Sequence, residues 1–132
     1  MLRIVTDGAA DLLPEWSKKY NIDIIPINIM FGEKSYLQGV DLDNEGFYSI
    51  VEESQIIPKT SQPTPHQFIE FYRKNASKGD TILSIHITAK LSGTYASAVS
   101  AAEELKDENL EQLYVQYMAG HMEAEQDVET VN

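Results

Sequence analysis

The 132-residue chain contains no cysteine, which excludes a disulfide framework, thiolate metal sites and thiol redox chemistry. Its N-terminus also lacks a long hydrophobic run, because the mostly apolar residues 1–5 include Arg3 and are followed at once by Thr6 and Asp7. That stretch is too short for a membrane span or a signal peptide. A hydrophobic content of 42 % is enough to bury a core without disulfide bonds or a structural metal. We therefore expect one cytoplasmic domain without stable membrane insertion.

Basic residues are scarce, with 10 Lys and Arg against 21 Asp and Glu and a net charge of −11. Residues 103–132 carry nine acids and one base, so most of the acidity belongs to this tail. Such a balance repels phosphate backbones, and the sequence has no basic cluster with interleaved aromatics. His66 and His121 have no second histidine and no cysteine three or four residues away. The composition therefore predicts no nucleic-acid partner, no metal site and no cofactor.

Apolar patterns alternate between strand and helix periods along the chain. They predict strands at residues 2–6, 22–30 (interrupted by Pro26), 81–87 and 113–117. The predicted helices lie at about residues 12–20 with Asp11 as cap, 44–54, 64–79 and 95–105. A hairpin turn is expected at residues 31–36, and the buried face of the second helix at Phe47, Tyr48, Ile50 and Val51. This order predicts an α/β fold with a mostly parallel sheet, helices on both faces, and ligands beyond the carboxyl ends of the strands.

Two hydroxyl-rich turns, residues 59–65 and 90–94, each lead into a predicted helix. The first turn of a helix offers unpaired N–H groups and a partial positive charge, so it attracts carboxylate or phosphate. Hydroxyls in the first turn and those of Ser92 and Thr94 in the second would add donors for such an anion. The pattern predicts an anion site, but plain helix caps and turns use the same residue types.

Candidate catalytic residues have simpler structural interpretations. Asp7 ends a strand, as the nucleophile of aspartyl-phosphate enzymes does, but Ala9 stands where those enzymes place a second acid. A capping role is therefore favoured for Asp7, and a core position satisfied by one hydrogen bond for His86. Ser92 lacks the small-x-Ser-x-Gly elbow of hydrolases. No catalytic residue is predicted, and a small hydrolase or phosphoryl-transfer enzyme using Asp7 or Ser92 remains an alternative.

Six segments occur in a specific order and spacing: Ile4-Val5-Thr6-Asp7, Val40-Asp41, Phe47-Tyr48, Lys59-Thr60-Ser61-Gln62-Pro63, Ser84-Ile85-His86 and Lys90-Leu91-Ser92-Gly93-Thr94-Tyr95. Over about residues 2–117 they closely resemble the DegV family of bacterial fatty-acid-binding proteins. The resemblance implies that residues 1–117 form the N-terminal α/β lobe of a two-lobed protein. Residues 118–132 would be an acidic tail outside the family pattern, disordered or artificial.

In that family, a long-chain fatty acid lies in a tunnel between the lobes. The resemblance implies that Thr60 and Ser92 bind its carboxylate, with Ser61, Gly93 and Thr94 in support. The implied partner is a separate kinase that makes an acyl phosphate for phospholipid synthesis. The chain itself is therefore not expected to be an enzyme.

Two departures from the family pattern shape the expectations for this chain. Gly8 stands where a serine is usual, and after Val115 the Asp-Ser strand end is replaced by residues 116–121. A truncated chain, a frameshifted gene or a shortened paralogue would look like this. Loss of the second lobe would weaken lipid binding and expose the tunnel wall, which favours self-association, in the simplest case as a homodimer. The remaining alternative is a non-binding interaction module or an inert fragment.

Overall fold

The computed structural model describes residues 1–108, 111–117 and 129–131. The helices and strands of these residues are, in chain order, β1 (Leu2–Asp7), α1 (Pro14–Tyr20), β2 (Ile22–Ile25), β3 (Asn28–Phe31), β4 (Lys34–Leu37), α2 (Asn44–Ser54), β5 (Lys59–Ser61), α3 (Pro65–Asn75), β6 (Thr81–Ile87), α4 (Thr94–Leu105), β7 (Glu111–Tyr117) and β8 (Glu129–Val131).

The strands form two sheets. The larger has the order β2-β1-β6-β7-β8, in which the first four strands are parallel and β8 runs antiparallel to β7. In its register, Val5 on the second strand, β1, lies between Asp23 of β2 and Ser84 of β6. The smaller sheet is antiparallel, with the order β4-β3-β5. The predicted mostly parallel α/β sheet is confirmed.

Helices lie on both faces of the larger sheet. The connection from β1 through α1 to β2 moves in one direction along the sheet, and that from β6 through α4 to β7 moves in the other. Because such crossovers are right-handed, α1 and α4 lie on opposite faces. Helix α3 packs against α4, so these two helices share a face and cover the core.

The core lies between β1, β2, β6 and the α3–α4 pair. Strand β6 alternates strictly, and its residues Ile82, Ser84 and His86 are fully buried while their neighbours are half-buried. Each fully buried large apolar side chain contributes about 1.5–3 kcal/mol relative to exposure. The apolar core consists of Val5, Ile25, Phe68, Ile69, Tyr72, Ile82, Tyr95, Ala98, Ala101, Ala102 and Leu105.

Local capping signals give the correct starts of two helices. Asp43 precedes α2, and its carboxylate accepts a hydrogen bond from Gly46 N at 2.7 Å. Thr64 precedes α3 and forms a capping box with Gln67. Gln67 N donates to the Thr64 hydroxyl at 3.2 Å, and Thr64 N donates to the Gln67 side-chain oxygen at 2.9 Å. Pro65 occupies the first helical position, where a missing N–H costs little.

Four expectations were wrong. Helix α3 ends at Asn75 and not near Gly79. Residues 22–30 form two strands in different sheets, since Pro26 cannot donate to a ladder and the chain leaves the larger sheet there. Asp11 does not cap α1: it adopts a left-handed conformation (φ 49°) after a short 3₁₀ turn, and α1 begins after Leu13 without a side-chain cap. Tyr48 is 64 % exposed rather than part of the buried face of α2. Of the tail at 118–132, only 129–131 lie among the described residues.

Candidate functional site

The second hydroxyl motif follows the carboxyl end of β6, as predicted. The chain turns sharply there, because Leu91 N and Ser92 N both donate to the Thr88 carbonyl, at 2.9 and 3.2 Å. Gly93 is the N-cap of α4, and its carbonyl accepts the first helical hydrogen bond from Ser97 N at 3.0 Å. The start of a twelve-residue helix therefore lies beside the carboxyl edge of the parallel sheet.

The first hydroxyl motif lies in the smaller sheet. Thr60 and Ser61 belong to β5, in which Thr60 pairs with Ile29 of β3, and both side chains are exposed. The sequence did not predict this strand, because three residues carry too short a pattern.

Gln62 joins the two motifs. Its side-chain oxygen accepts a hydrogen bond from Gly93 N at 3.0 Å, across 31 residues of sequence. Its backbone carbonyl accepts one from the Asn28 amide at 3.3 Å, and Asn28 forms a reciprocal amide pair with Gln67 at 3.0 and 3.1 Å. The end of β5, the start of α3 and the start of α4 are thereby held together. No local signal identified Gln62 for this role.

The donors of the second motif are paired among themselves. The Ser92 hydroxyl accepts a hydrogen bond from Thr94 N at 3.2 Å and lies 2.9 Å from the Thr94 hydroxyl. Thr94 is only 2 % exposed, whereas Ser92 and Gly93 are partly exposed. Ser92 and Gly93 therefore present the accessible polar groups of this turn.

Beneath the carboxyl edge lies a buried chain of four polar side chains, each fully buried: Asp7, His86, Ser84 and Tyr72. His86 Nδ1 is 2.8 Å from an Asp7 oxygen, and His86 Nε2 is 2.5 Å from the Ser84 hydroxyl. The Ser84 hydroxyl in turn is 2.7 Å from the Tyr72 hydroxyl. The other Asp7 oxygen accepts a hydrogen bond from Ala9 N at 2.9 Å. This chain of hydrogen bonds connects β1, β6 and α3 through the core.

One assignment of hydrogens leaves every member of this chain paired. Burial raises the pKa of the Tyr72 hydroxyl far above its ordinary value, and the hydrogen bond with Ser84 lowers it only in part. Tyr72 therefore keeps its proton and donates to Ser84, Ser84 donates to His86 Nε2, and His86 Nδ1–H donates to the Asp7 carboxylate. The hydrogen bonds run in one direction and end on the carboxylate.

The buried chain has the order of a hydrolase triad, but its serine is closed to substrate. Ser84, His86 and Asp7 follow one another as Ser, His and Asp do in that template, yet Ser84 is 0 % exposed and also bonded to Tyr72. The predicted capping role of Asp7 is confirmed by its bond to Ala9. The core position of His86 is confirmed too, but with a partner on each ring nitrogen instead of one. Ser84 and His86 are two residues apart on β6 and therefore lie on one face, which a local pattern can show. Asp7 is 79 residues from His86, so no local pattern could show their contact.

Gly8 lies beside Gln38, which follows β4. A Cβ added at Gly8 would meet the side-chain oxygen of Gln38, the end of a flexible side chain that can move aside. In the described part of the chain, no three His, Cys, Asp or Glu side chains are grouped so that they could hold a metal ion. None of the described helices combines the length and apolar character that crossing a bilayer requires.

The model of a family described as uncharacterised protein, DegV family, matches residues 1–118. The chain belongs to the DegV family. Among its relatives, a DegV domain-containing protein of Clostridium perfringens is 39 % identical over 109 residues, which are 83 % of this chain and 39 % of the relative. One from Halalkalibacterium halodurans is 37 % identical over 101 residues, or 76 % of this chain and 36 % of the relative.

Solved DegV structures share the fold. A stearic-acid-binding protein from Eubacterium ventriosum has a TM-score of 0.70 and 32 % identity, with coverage of 83 % of this chain and 40 % of that protein. The DegV fatty-acid-binding protein of Bacillus subtilis has a TM-score of 0.73 and 30 % identity, with 84 % and 39 % covered. This chain thus spans about two fifths of the length of these relatives.

Proposed function

We propose that this DegV chain is a fatty-acid-binding lobe that holds a long-chain carboxylate at Thr60 and Ser92, with Ser61, Gly93 and Thr94 in support. The observation that carries the proposal is the similarity to solved DegV proteins described as fatty-acid-binding and stearic-acid-binding, at 30–32 % identity. The position of both hydroxyl motifs is compatible with it, because Gln62 brings the end of β5 to the start of α4.

The chemistry of the two motifs suits a carboxylate. A carboxylate accepts several hydrogen bonds, and bonds to a charged acceptor are stronger than neutral ones. Thr60 and Ser61 are exposed, and Ser92 is partly exposed, so a ligand can replace water at these hydroxyls. The start of α4 adds the partial positive charge of a helix N-terminus.

We infer that the role is binding rather than catalysis. Both Asp7 oxygens already accept buried hydrogen bonds, and the Ser92 hydroxyl is paired with Thr94. In this proposal the lobe holds the carboxylate while a separate kinase forms the acyl phosphate. The chain covers only about two fifths of the solved relatives. For these 132 residues alone we therefore propose a weaker affinity than in those relatives, and self-association, in the simplest case as a homodimer, over the apolar wall.

Native mass spectrometry of the purified chain, followed by denaturing extraction, tests binding and oligomeric state together. We expect bound long-chain fatty acid, and a Kd about tenfold weaker for Thr60→Ala and for Ser92→Ala, the loss of about one hydrogen bond each. Ser100→Ala, on the exposed face of α4, is the matched control and should bind as the unchanged chain does. A chain that neither contains fatty acid nor binds added stearic acid would refute the proposal. Binding that ignores both substitutions would refute the assigned residues and favour an interaction module.

A further inference from the structure

Gln62 occupies a donor of the proposed carboxylate site. Its side-chain oxygen takes the hydrogen bond of Gly93 N at 3.0 Å. The same amide tip lies where a side chain at residue 93 would begin: an added Cβ would be 2.7 Å from the Gln62 oxygen and 2.8 Å from its amide carbon. Gly93 has a φ of −78°, which any residue adopts. The Gln62 amide therefore occupies the space that a side chain at residue 93 would enter.

The amide oxygen of a glutamine and an oxygen of a carboxylate are alike as acceptors, since both are sp² oxygens that accept from a backbone N–H. One N–H makes a single strong, nearly linear hydrogen bond. A fatty-acid carboxylate that uses Gly93 N must therefore remove the Gln62 oxygen from it. We propose that Gln62 is a displaceable placeholder that competes with the ligand carboxylate for Gly93 N and thereby lowers and tunes affinity. This inference rests on the proposed function.

The contacts around Gln62 hold its backbone in place but leave its side-chain amide able to move. The backbone is held by the hydrogen bond from Asn28 to the Gln62 carbonyl and by the buried Pro63 that follows. The side chain is exposed to solvent, so water can take over its amide when it leaves. A net hydrogen bond of ordinary strength favours the closed arrangement by about two- to twelvefold. Competition then weakens carboxylate binding by a similar factor.

Two substitutions at residue 62 should shift affinity in opposite directions. Gln62→Met keeps the length of the side chain but removes the acceptor oxygen, so stearic acid should bind about three- to tenfold more tightly. Gln62→Glu keeps an acceptor, holds Gly93 N more strongly and repels the carboxylate, so binding should weaken at least about fivefold. Gln55→Met, at the end of α2, controls for an added apolar side chain and should not change the Kd. Equal or weaker binding by Gln62→Met would overturn the proposal.

An NMR titration separates this inference from the proposed function. In the chain without ligand, the Gly93 amide should show a hydrogen bond that Gln62→Met removes. On saturation with stearic acid, the Gln62 side-chain amide should move to a solvent-exposed environment while Gly93 N stays hydrogen-bonded. A chain that binds stearic acid with the Gln62–Gly93 bond intact would overturn the placeholder and leave the proposed function standing. If no variant binds stearic acid, both fall.

Discussion

Asp7→Asn replaces one oxygen of a buried carboxylate by an amide nitrogen at nearly constant volume. In the protein, the two Asp7 oxygens accept from Ala9 N at 2.9 Å and from His86 Nδ1 at 2.8 Å. An asparagine side chain has one oxygen and an NH₂ group, so it can accept only one of these bonds well. If the oxygen stays with Ala9, the NH₂ faces the Nδ1–H of His86.

A change of the His86 tautomer would pair Nδ1 with the asparagine NH₂ group, but it would leave a different group of the buried chain without a partner. With the proton on Nε2, His86 would donate to Ser84, Ser84 would donate to Tyr72, and the Tyr72 hydrogen would lose its acceptor in the core. Leaving one buried donor unpaired costs about 1–3 kcal/mol, and the lost charge-assisted bond adds about 1 kcal/mol. We expect Asp7→Asn to lower the free energy of unfolding by about 2–4 kcal/mol.

Urea titration followed by circular dichroism measures this loss, provided that the slope m is unchanged. Asp11→Asn is the matched control, because Asp11 is exposed and left-handed (φ 49°), a conformation that asparagine adopts readily. It should change stability by less than about 0.5 kcal/mol. A similarly small change for Asp7→Asn would refute the one-way hydrogen-bond chain. If Asp7 were instead a nucleophile, the variant would lose an activity without losing stability.

Three further outcomes follow from the same structure. In urea titrations, Ser84→Ala should lower the free energy of unfolding by about 3 kcal/mol and Tyr72→Phe by about 1 kcal/mol. Alanine leaves both Tyr72 and His86 without their Ser84 partner, whereas phenylalanine removes only the first donor. Equal losses would contradict the direction of the hydrogen bonds. The backbone N–H of Ser77, and then the N-terminal ammonium, lower the pKa of Asp80. Its stabilising effect is therefore present above the ordinary carboxyl pKa and is lost as pH falls through the lowered value. Thermal melts should show Asp80→Asn less stable near neutral pH and indistinguishable from the unchanged chain in acid. Leu105→Ala, at a fully buried position, should cost about 2–5 kcal/mol, and a loss below about 1 kcal/mol would contradict its place in the core.

The sequence predicted those elements whose signals are local. Thr64 and Gln67 are three residues apart and mark the start of α3 by themselves. The period-two pattern of β6 predicted the strand, but not which of its two faces is fully buried. In contrast, the separation of β2 and β3 into different sheets depends on partners far away in sequence. Pro26 signalled an interruption, but it could not show which sheet each half would join.

The same division applies to the candidate site. Thr60, Ser92 and Gly93 could be named from two short motifs, because hydroxyls and glycine before a helix have a local chemical meaning. The contact between Gln62 and Gly93 spans 31 residues, and that between Asp7 and His86 spans 79. Both are set by the stacking of strands and helices, which one short window of sequence does not contain. Glycine at residue 93 allows a close approach, but the approaching group, Gln62, was visible only in the fold.

The two polar systems beside the carboxyl edge differ in what can replace their hydrogen bonds. In the buried chain from Tyr72 to Asp7, every lost partner leaves an unpaired group in the core, so exchange with a ligand would cost the full desolvation of that group. In contrast, Gln62 is exposed and both Ser92 and Gly93 are partly exposed, so one acceptor can replace another at Gly93 N at little net cost. The buried chain can therefore fix the positions of β1, β6 and α3 without taking part in binding. The groups able to exchange their partners for a carboxylate are those that remain at the surface, and the competition at Gly93 N follows from that exposure.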